Sequence, residues 1–209
     1  DFMNVKTNKL ILEMDEVDEL FVCPASGDEG LAVGAALQAN FELSIQDGNI
    51  CSKTPLKDLY FGTSFSNEQI EKTLKEKDLL SEAQFIDDID CEIGELLSKE
   101  DNIIARFSGQ MEWGPRGLGN RSILANASNL EITRKLNHAI KMRDFWMPFG
   151  PSILHDRIDD YLINGKYSPH MIIAFDTTNN RKDITAAIHP FDLTCRPQTV
   201  STKGNSGYT

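Results

Sequence analysis

The run Gly109-Gln110-Met111-Glu112-Trp113-Gly114-Pro115-Arg116-Gly117-Leu118-Gly119-Asn120-Arg121-Ser122 is the densest group of chemically capable side chains in the sequence. Glycines around two arginines, an asparagine and a serine offer backbone N–H groups at close approach together with guanidinium forks. Phosphate binding uses that combination. Neither GxxxxGK[ST] nor GxGxxG occurs, so the run is no Walker A loop and no dinucleotide fingerprint. An ordinary glycine-rich turn with surface arginines has the same composition. Further cations follow: Lys141 and Arg143 close a helical pattern, where complementing the helix dipole is their commoner role, and Arg196 sits just before Pro197. Asp28 lies in a turn before a helix, the usual place for a cap and also a place for a metal ligand. None of His138, His155, His170 or His189 stands in a nucleophile motif.

The charge distribution points to the same region. Of 209 residues, positions 1–105 hold 8 Lys, no Arg and 23 acids, a balance of −15. Positions 106–209 hold 5 Lys, all 8 Arg and 9 acids, a balance of +4. Arginine suits carboxylates and phosphates, so the second half is where an anionic ligand is sought. The overall charge of −11 argues against nonspecific binding to nucleic acid or an anionic membrane. No apolar run approaches a membrane span and no signal segment opens the chain. Cys23, Cys51, Cys91 and Cys195 are far apart, which argues against a zinc module and suits a reducing cytoplasm.

The elements that must carry these residues read as mixed helix and strand, hence α/β or α+β. Asn4 to Leu12 runs straight into apolar residues and does not look like a natural beginning. Residues 19–24 read as a strand halted by proline, and Leu31–Ala39, apolar nearly all round, as a buried helix. A polar stretch from Gln46 to Leu56 reads as a linker, which places a domain boundary near residue 55. Ser66 with Gln69 predicts a capping box, with Phe65 and Ile70 as a hydrophobic staple; Ser128 with Glu131 predicts a second box. The latter opens a helix with Leu136 and Ile140 inward. Asp87-Asp88 precede another helix, and strands are expected over 102–107, 171–175 and 184–188.

At this point the residues resemble the ATP-dependent O-carbamoyltransferases of the nodulation-factor, tobramycin and cephem type. Glu112 to Leu124 is similar to that family's E-x-GPRALGNRSIL signature, and Lys141 to Ser152 to its K-x-RE-x-(F/W)RPFAPS stretch. Thr194 to Val200 resembles its D-G-(T/S)-x-R-x-QTV element, and Pro24 to Leu37 its P-A-x-GD-x-G-x-x-x-GAAL segment. The order is kept and nearly the whole chain is covered.

The resemblance implies two parts: residues 1–50 as the end of an actin/sugar-kinase-like (ASKHA) transfer domain, and 55–209 as most of a YrdC-like α+β domain with a mixed sheet and flanking helices. In the second, ATP with Mg2+ and carbamoyl phosphate would yield carbamoyl adenylate and pyrophosphate. A small-molecule hydroxyl acceptor would then take the carbamoyl group in the first. Arg116, Lys141 and Arg196 are the implied catalytic anion binders, expected to converge on one cleft partly balanced by acids such as Glu112. Asn120, Arg121, Ser122 and Arg143 form a second tier. Asp28 is the implied ligand of a divalent, Fe2+-type metal whose histidines this chain lacks. Met147 stands where the family has a basic residue, Gly117 and Gly150 where it has alanine, and residues 190–193 depart from H-V-D-G. The two glycines are mild changes; the missing histidines imply a fragment of a longer enzyme, and Met147 and other changes leave open an impaired homologue that binds nucleotide without turnover.

Overall fold

The computed structural model describes residues 2–49, 56, 58–99, 101–144 and 146–201. The boundary expected near residue 55 falls among residues outside this description. Helix starts follow local capping chemistry. Helix α1 (Val5–Leu12) begins at Asn4, whose side chain accepts from the Lys6 and Thr7 amides. Helix α2 spans Glu29–Gln46. Helix α3 (Asn67–Glu76) carries the expected capping box between Ser66 and Gln69. Phe65, expected as a staple, instead stacks on Phe107, with ring centroids 6.1 Å apart. Helix α4 (Ile89–Ser98) is capped by Asp88 on the Cys91 amide. Helix α5 (Leu130–Leu136) is capped by Asn129 on the Glu131 amide, not by Ser128, which donates to the Asn126 side chain.

The expected α+β character holds, but the strands form three two-stranded ladders among the described residues, not one mixed sheet. Strands β1 (Ile103–Phe107) and β2 (Arg121–Ala125) pair antiparallel, Phe107 opposite Arg121. Strand β3 (Ser152–Leu154) is followed by a short helix α6 (Ile158–Tyr161). Strand β4 (Phe175–Asp176) pairs antiparallel with β5 (Thr194–Cys195). Strand β6 (Gln198–Val200) runs parallel to β3, Ser152 opposite Gln198.

Four expectations are corrected here. Residues 19–24 form no strand. Residues 171–174 stay outside the ladders, with Met171 at φ 55° breaking the run, and 179–187 is a 3-10 helix packed on α5. Ala186 and Ala187 are too small to discriminate strand from turn, and the Thr133 hydroxyl, donating to the Ala186 carbonyl at 2.8 Å, fixes the turn. Helix α2 is not buried: no residue in it is, and Leu31 and Leu37 are 71% and 64% exposed. A helix apolar on every side signals that it needs covering, and nothing among the described residues covers it. No helix among the described residues is long and apolar enough to cross a membrane.

The core joins residues from before and after position 100. Val22, Ile153, Ile158, Leu162, Phe175 and Ile188 are buried together. Helix α1 is tied to it by ion pairs of Lys6 with Asp192 at 2.6 Å and Lys9 with Asp176 at 2.9 Å. Between them the fully buried Asn8 donates to the Phe2 and Ile172 carbonyls at 2.8 and 2.7 Å. Replacing Asn8 by Ala strands the Ile172 carbonyl, so Asn8→Ala is expected to destabilise the chain by about 1–3 kcal/mol, measured by urea unfolding. An unchanged midpoint and slope would show that α1 is not part of the cooperative core.

Candidate functional site

The loop between β1 and β2 carries Arg116, and its shape is set by a carboxylate. One oxygen of Glu112 accepts from the Leu118, Asn120 and Arg121 amides at 2.7, 2.8 and 3.1 Å. Gly114 and Gly119 turn the chain at φ 104° and 120°, a region that disfavours residues with a Cβ. Gly114 also lies against Pro24 and Ala25, so the Pro24–Asp28 turn abuts this loop. The amides that the glycine-rich composition offered to phosphate at 118, 120 and 121 are thus taken by Glu112. It is not the counter-acid expected for the cations.

Several second-tier candidates are likewise spent on the loop itself. Arg121 donates to the Ser108, Gly109 and Asn120 carbonyls and lies 3.7 Å from the centroid of the Phe107 ring. Asn120 donates its side-chain amide to the Gln110 carbonyl, and the Ser122 hydroxyl accepts from the Gly119 amide. These hydrogen bonds build the loop.

Three other arginines come together. Arg196 follows β5 and is largely buried; burial first, then the charges of Arg116 and Arg143, push its guanidinium down to about 10. Burial and Arg143 lower Arg116, and burial lowers Arg143. All three remain charged at neutral pH. None pairs with a carboxylate among the described residues, whereas Arg106, Arg134 and Arg157 pair with Asp90, Glu131 and Asp160. The Arg116 Nε is buried with no hydrogen-bond partner.

Arg143 stands on the rim. Its Cζ lies 4.5 Å from the centroid of the Phe149 ring, a cation–π contact. Lys141 does not join the group as expected: its side chain is exposed at the end of the π-helical turn Asn137–Lys141. Ile140 is exposed too, because that turn rotates it off the face that buries Leu136. Phe149 and Gly150 also line a cavity of about 400 Å³ reaching Ile132, Leu136 and Arg106. A Cβ on Gly150 would sit 2.8 Å from the Arg196 carbonyl, so that backbone is tightly packed behind the cluster.

A profile described as Carbamoyltransferase C-terminus matches residues 95–209, the part that holds all three arginines. The chain belongs to the carbamoyltransferase family. It is similar to nodulation protein NolO of Bradyrhizobium diazoefficiens, 34% identical over 209 residues, covering 98% of this chain and 37% of that protein. Nodulation protein U of Rhizobium fredii is 30% identical over 202 residues, covering 95% and 31%. An uncharacterized protein of Methanocaldococcus jannaschii is 40% identical over 211 residues, covering 98% and 38%. The chain therefore spans about a third of the length of the curated relatives it matches, 38% and 34% of the first two.

Within this carbamoyltransferase chain Asp28 is exposed and makes no cap hydrogen bond at the start of α2. Among the described residues no three His, Cys, Asp or Glu side chains group as metal ligands, so these residues do not make a metal centre by themselves. Cys195 is buried, and burial pushes its thiol up to about 12, which opposes formation of the thiolate. Residues that sequence reasoning passed over are Asn137 and Phe149, which hold Arg143. An asparagine inside a helical pattern was the available signal, because its side chain competes for backbone groups.

Two outcomes are expected. Glu112→Ala leaves three amides unpaired and should lower stability by about 1.5–3 kcal/mol, read by denaturant unfolding, with Glu112→Gln losing less. Inorganic pyrophosphate should raise Tm by relieving repulsion within the cluster, with a smaller rise in high salt. Equal Tm with and without pyrophosphate at low salt would remove the cluster as an anion site.

Proposed function

We propose that this chain is the part of a carbamoyltransferase that activates the carbamoyl group with ATP. The observation that carries the reading is the meeting of Arg116, Arg143 and Arg196 without a carboxylate, each in a segment of the family match. Fixed cations suit a step that brings several anions together and then spreads charge in the transition state. Loss of phosphate from carbamoyl phosphate to water leaves carbamate. A carbamate oxygen attacks the α-phosphorus of ATP, carried as its Mg2+ complex, and the bond to pyrophosphate breaks, giving carbamoyl adenylate and pyrophosphate. An acceptor hydroxyl then attacks the carbamoyl carbon and AMP leaves.

Burial supports a division of parts among the residues. Arg116 and Arg196, the more buried pair, hold the phosphates; Arg143 at the rim admits the donor, and exposed Lys141 adds long-range attraction. No protein nucleophile is required. The 400 Å³ cavity beside Phe149 lies within the usual size of small-molecule sites and offers room for the uncharged part of a nucleotide. The division into an ASKHA end over 1–50 and a YrdC-like unit over 55–209 belongs to this proposal, as does the acceptor's placement in a longer protein, together with a resident divalent metal there to which Asp28 would contribute.

A second reading, a nucleotide-binding homologue without turnover, draws on Met147 in place of a basic residue and on Lys141 lying outside the cluster. Carbamoyl-phosphate-dependent ATP–pyrophosphate exchange separates the two: exchange supports activation, and binding without exchange supports the binder. Arg116→Ala is expected to weaken ATP or pyrophosphate binding by about 1.5–3 kcal/mol, the scale of a hydrogen bond to a charged group, and Arg116→Lys to restore little. Wild-type affinity in Arg116→Ala, by calorimetry, would sink both readings.

A further inference from the structure

Arg143 is the exposed member of a mutually repelling group, and a flexible, solvated arginine would turn away from it. What restrains it is a neutral side chain. Asn137 is 0% exposed. Its Oδ1 accepts from the Arg143 Nε at 2.7 Å, and its Nδ2 donates to the Met147 carbonyl at 2.9 Å. Its own carbonyl accepts from the Arg143 amide at 3.2 Å and from the Met142 amide at the end of the π-helical turn. Met142 there takes φ 49°, a left-handed conformation uncommon for a residue with a Cβ. One buried residue thus grips both ends of the segment from Met142 to Met147. Helix α5 makes that grip rigid, since Ile132, Thr133 and Leu136 just before it are buried.

The chemistry of the restraint matters as much as its geometry. A carboxylate at this place would hold Arg143 more strongly but cancel the charge a ligand needs; an amide oxygen fixes the guanidinium and leaves its charge intact. We infer that Asn137 is the positioning residue for Arg143 in the cation cluster, an inference that rests on the anion-binding reading of that cluster. Its own content is that Asn137 acts through Arg143, and not through the general stability of the fold.

The test is a double-mutant cycle on the whole chain, with inorganic pyrophosphate as the probe in calorimetry. Arg143→Ala and Asn137→Ala are each expected to weaken pyrophosphate about tenfold, and the double variant to bind no more weakly than Arg143→Ala alone. Further loss in the double variant, or wild-type affinity in Asn137→Ala, would overturn the inference. A second readout is the Nε–H resonance of Arg143, identified by its disappearance in Arg143→Ala. Its exchange with water should accelerate in Asn137→Ala and stay slow in Asn137→Asp, which keeps the acceptor, while Asn137→Asp still loses pyrophosphate affinity through its added charge. Unchanged exchange in Asn137→Ala also counts against the role. Where alanine prevents folding, Asn137→Asp carries the decision: slow Nε–H exchange with weakened pyrophosphate supports the role, and undiminished affinity refutes it. If neither Arg116→Ala nor Arg143→Ala changes pyrophosphate binding, the anion reading falls, and the exchange rate still reports separately on whether Asn137 holds Arg143.

Discussion

Like-charge repulsion among Arg116, Arg143 and Arg196 is the constraint around which this region is arranged. Like charges repel, so an unneutralised trio is stable only if something else holds its members. The other ion-paired arginines show the easier solution, as with Arg106 against Asp90 at 2.7 Å. The trio has no such partner among the described residues. Its restraint comes instead from burial of Arg196, the face of Phe149 under Arg143, and the amide of Asn137. Each of these fixes a guanidinium without removing its charge. The net result is positive charge that no carboxylate among the described residues offsets.

Glu112 shows the complementary device. Its carboxylate stands in the same loop as Arg116, yet it faces the backbone amides of Leu118, Asn120 and Arg121. Spending the acid on the backbone does two jobs: it rigidifies the turn through Gly114 and Gly119 and keeps negative charge from the cations. Rigidity then spreads outward. The Leu118 carbonyl accepts from both Tyr60 and Gln198, at 3.0 and 2.9 Å, so the loop is tied to β6 and through β6 to β3. Arg196 stands between β5 and β6 and shares that scaffold. The cations are therefore carried by one connected set of hydrogen bonds, although Arg116 and Arg196 are distant in sequence.

What could be read from the sequence followed the range of the interaction involved. Ser66 with Gln69 and Asp88 before α4 were legible because a cap is settled within four residues. The α+β character and strand β1 were legible from apolar patterning. Residues 184–188 were not, since their apolar run fits a strand as well as the turn that Thr133 imposes from 53 residues away. Helix α2 reads as buried because its composition demands a cover, but composition is silent on whether that cover lies in the same stretch of chain. The family resemblance pointed to segments that hold Arg116, Arg143 and Arg196, whereas Lys141, two residues before Arg143, is exposed at the end of a π-helical turn.

The two arginines of the loop make the general point about motif reading. Arg116 and Arg121 belong to one run of similar composition, yet one is free and the other spent. An arginine has five donors, and its availability depends on how many backbone acceptors it meets before solvent or ligand. Arg121 begins β2 opposite Phe107, where the turn leaves the carbonyls of Ser108 and Gly109 unpaired by the ladder and pointing at its guanidinium. Arg116 sits further out in the loop, after Pro115; the Nε of both arginines is buried without a partner, but only Arg121 has its two terminal nitrogens bound to carbonyls. Strand register, and not residue type, separates the structural arginine from the one left for a ligand. A motif therefore identifies a loop, and only the hydrogen bonds within that loop tell which of its arginines is committed to the backbone.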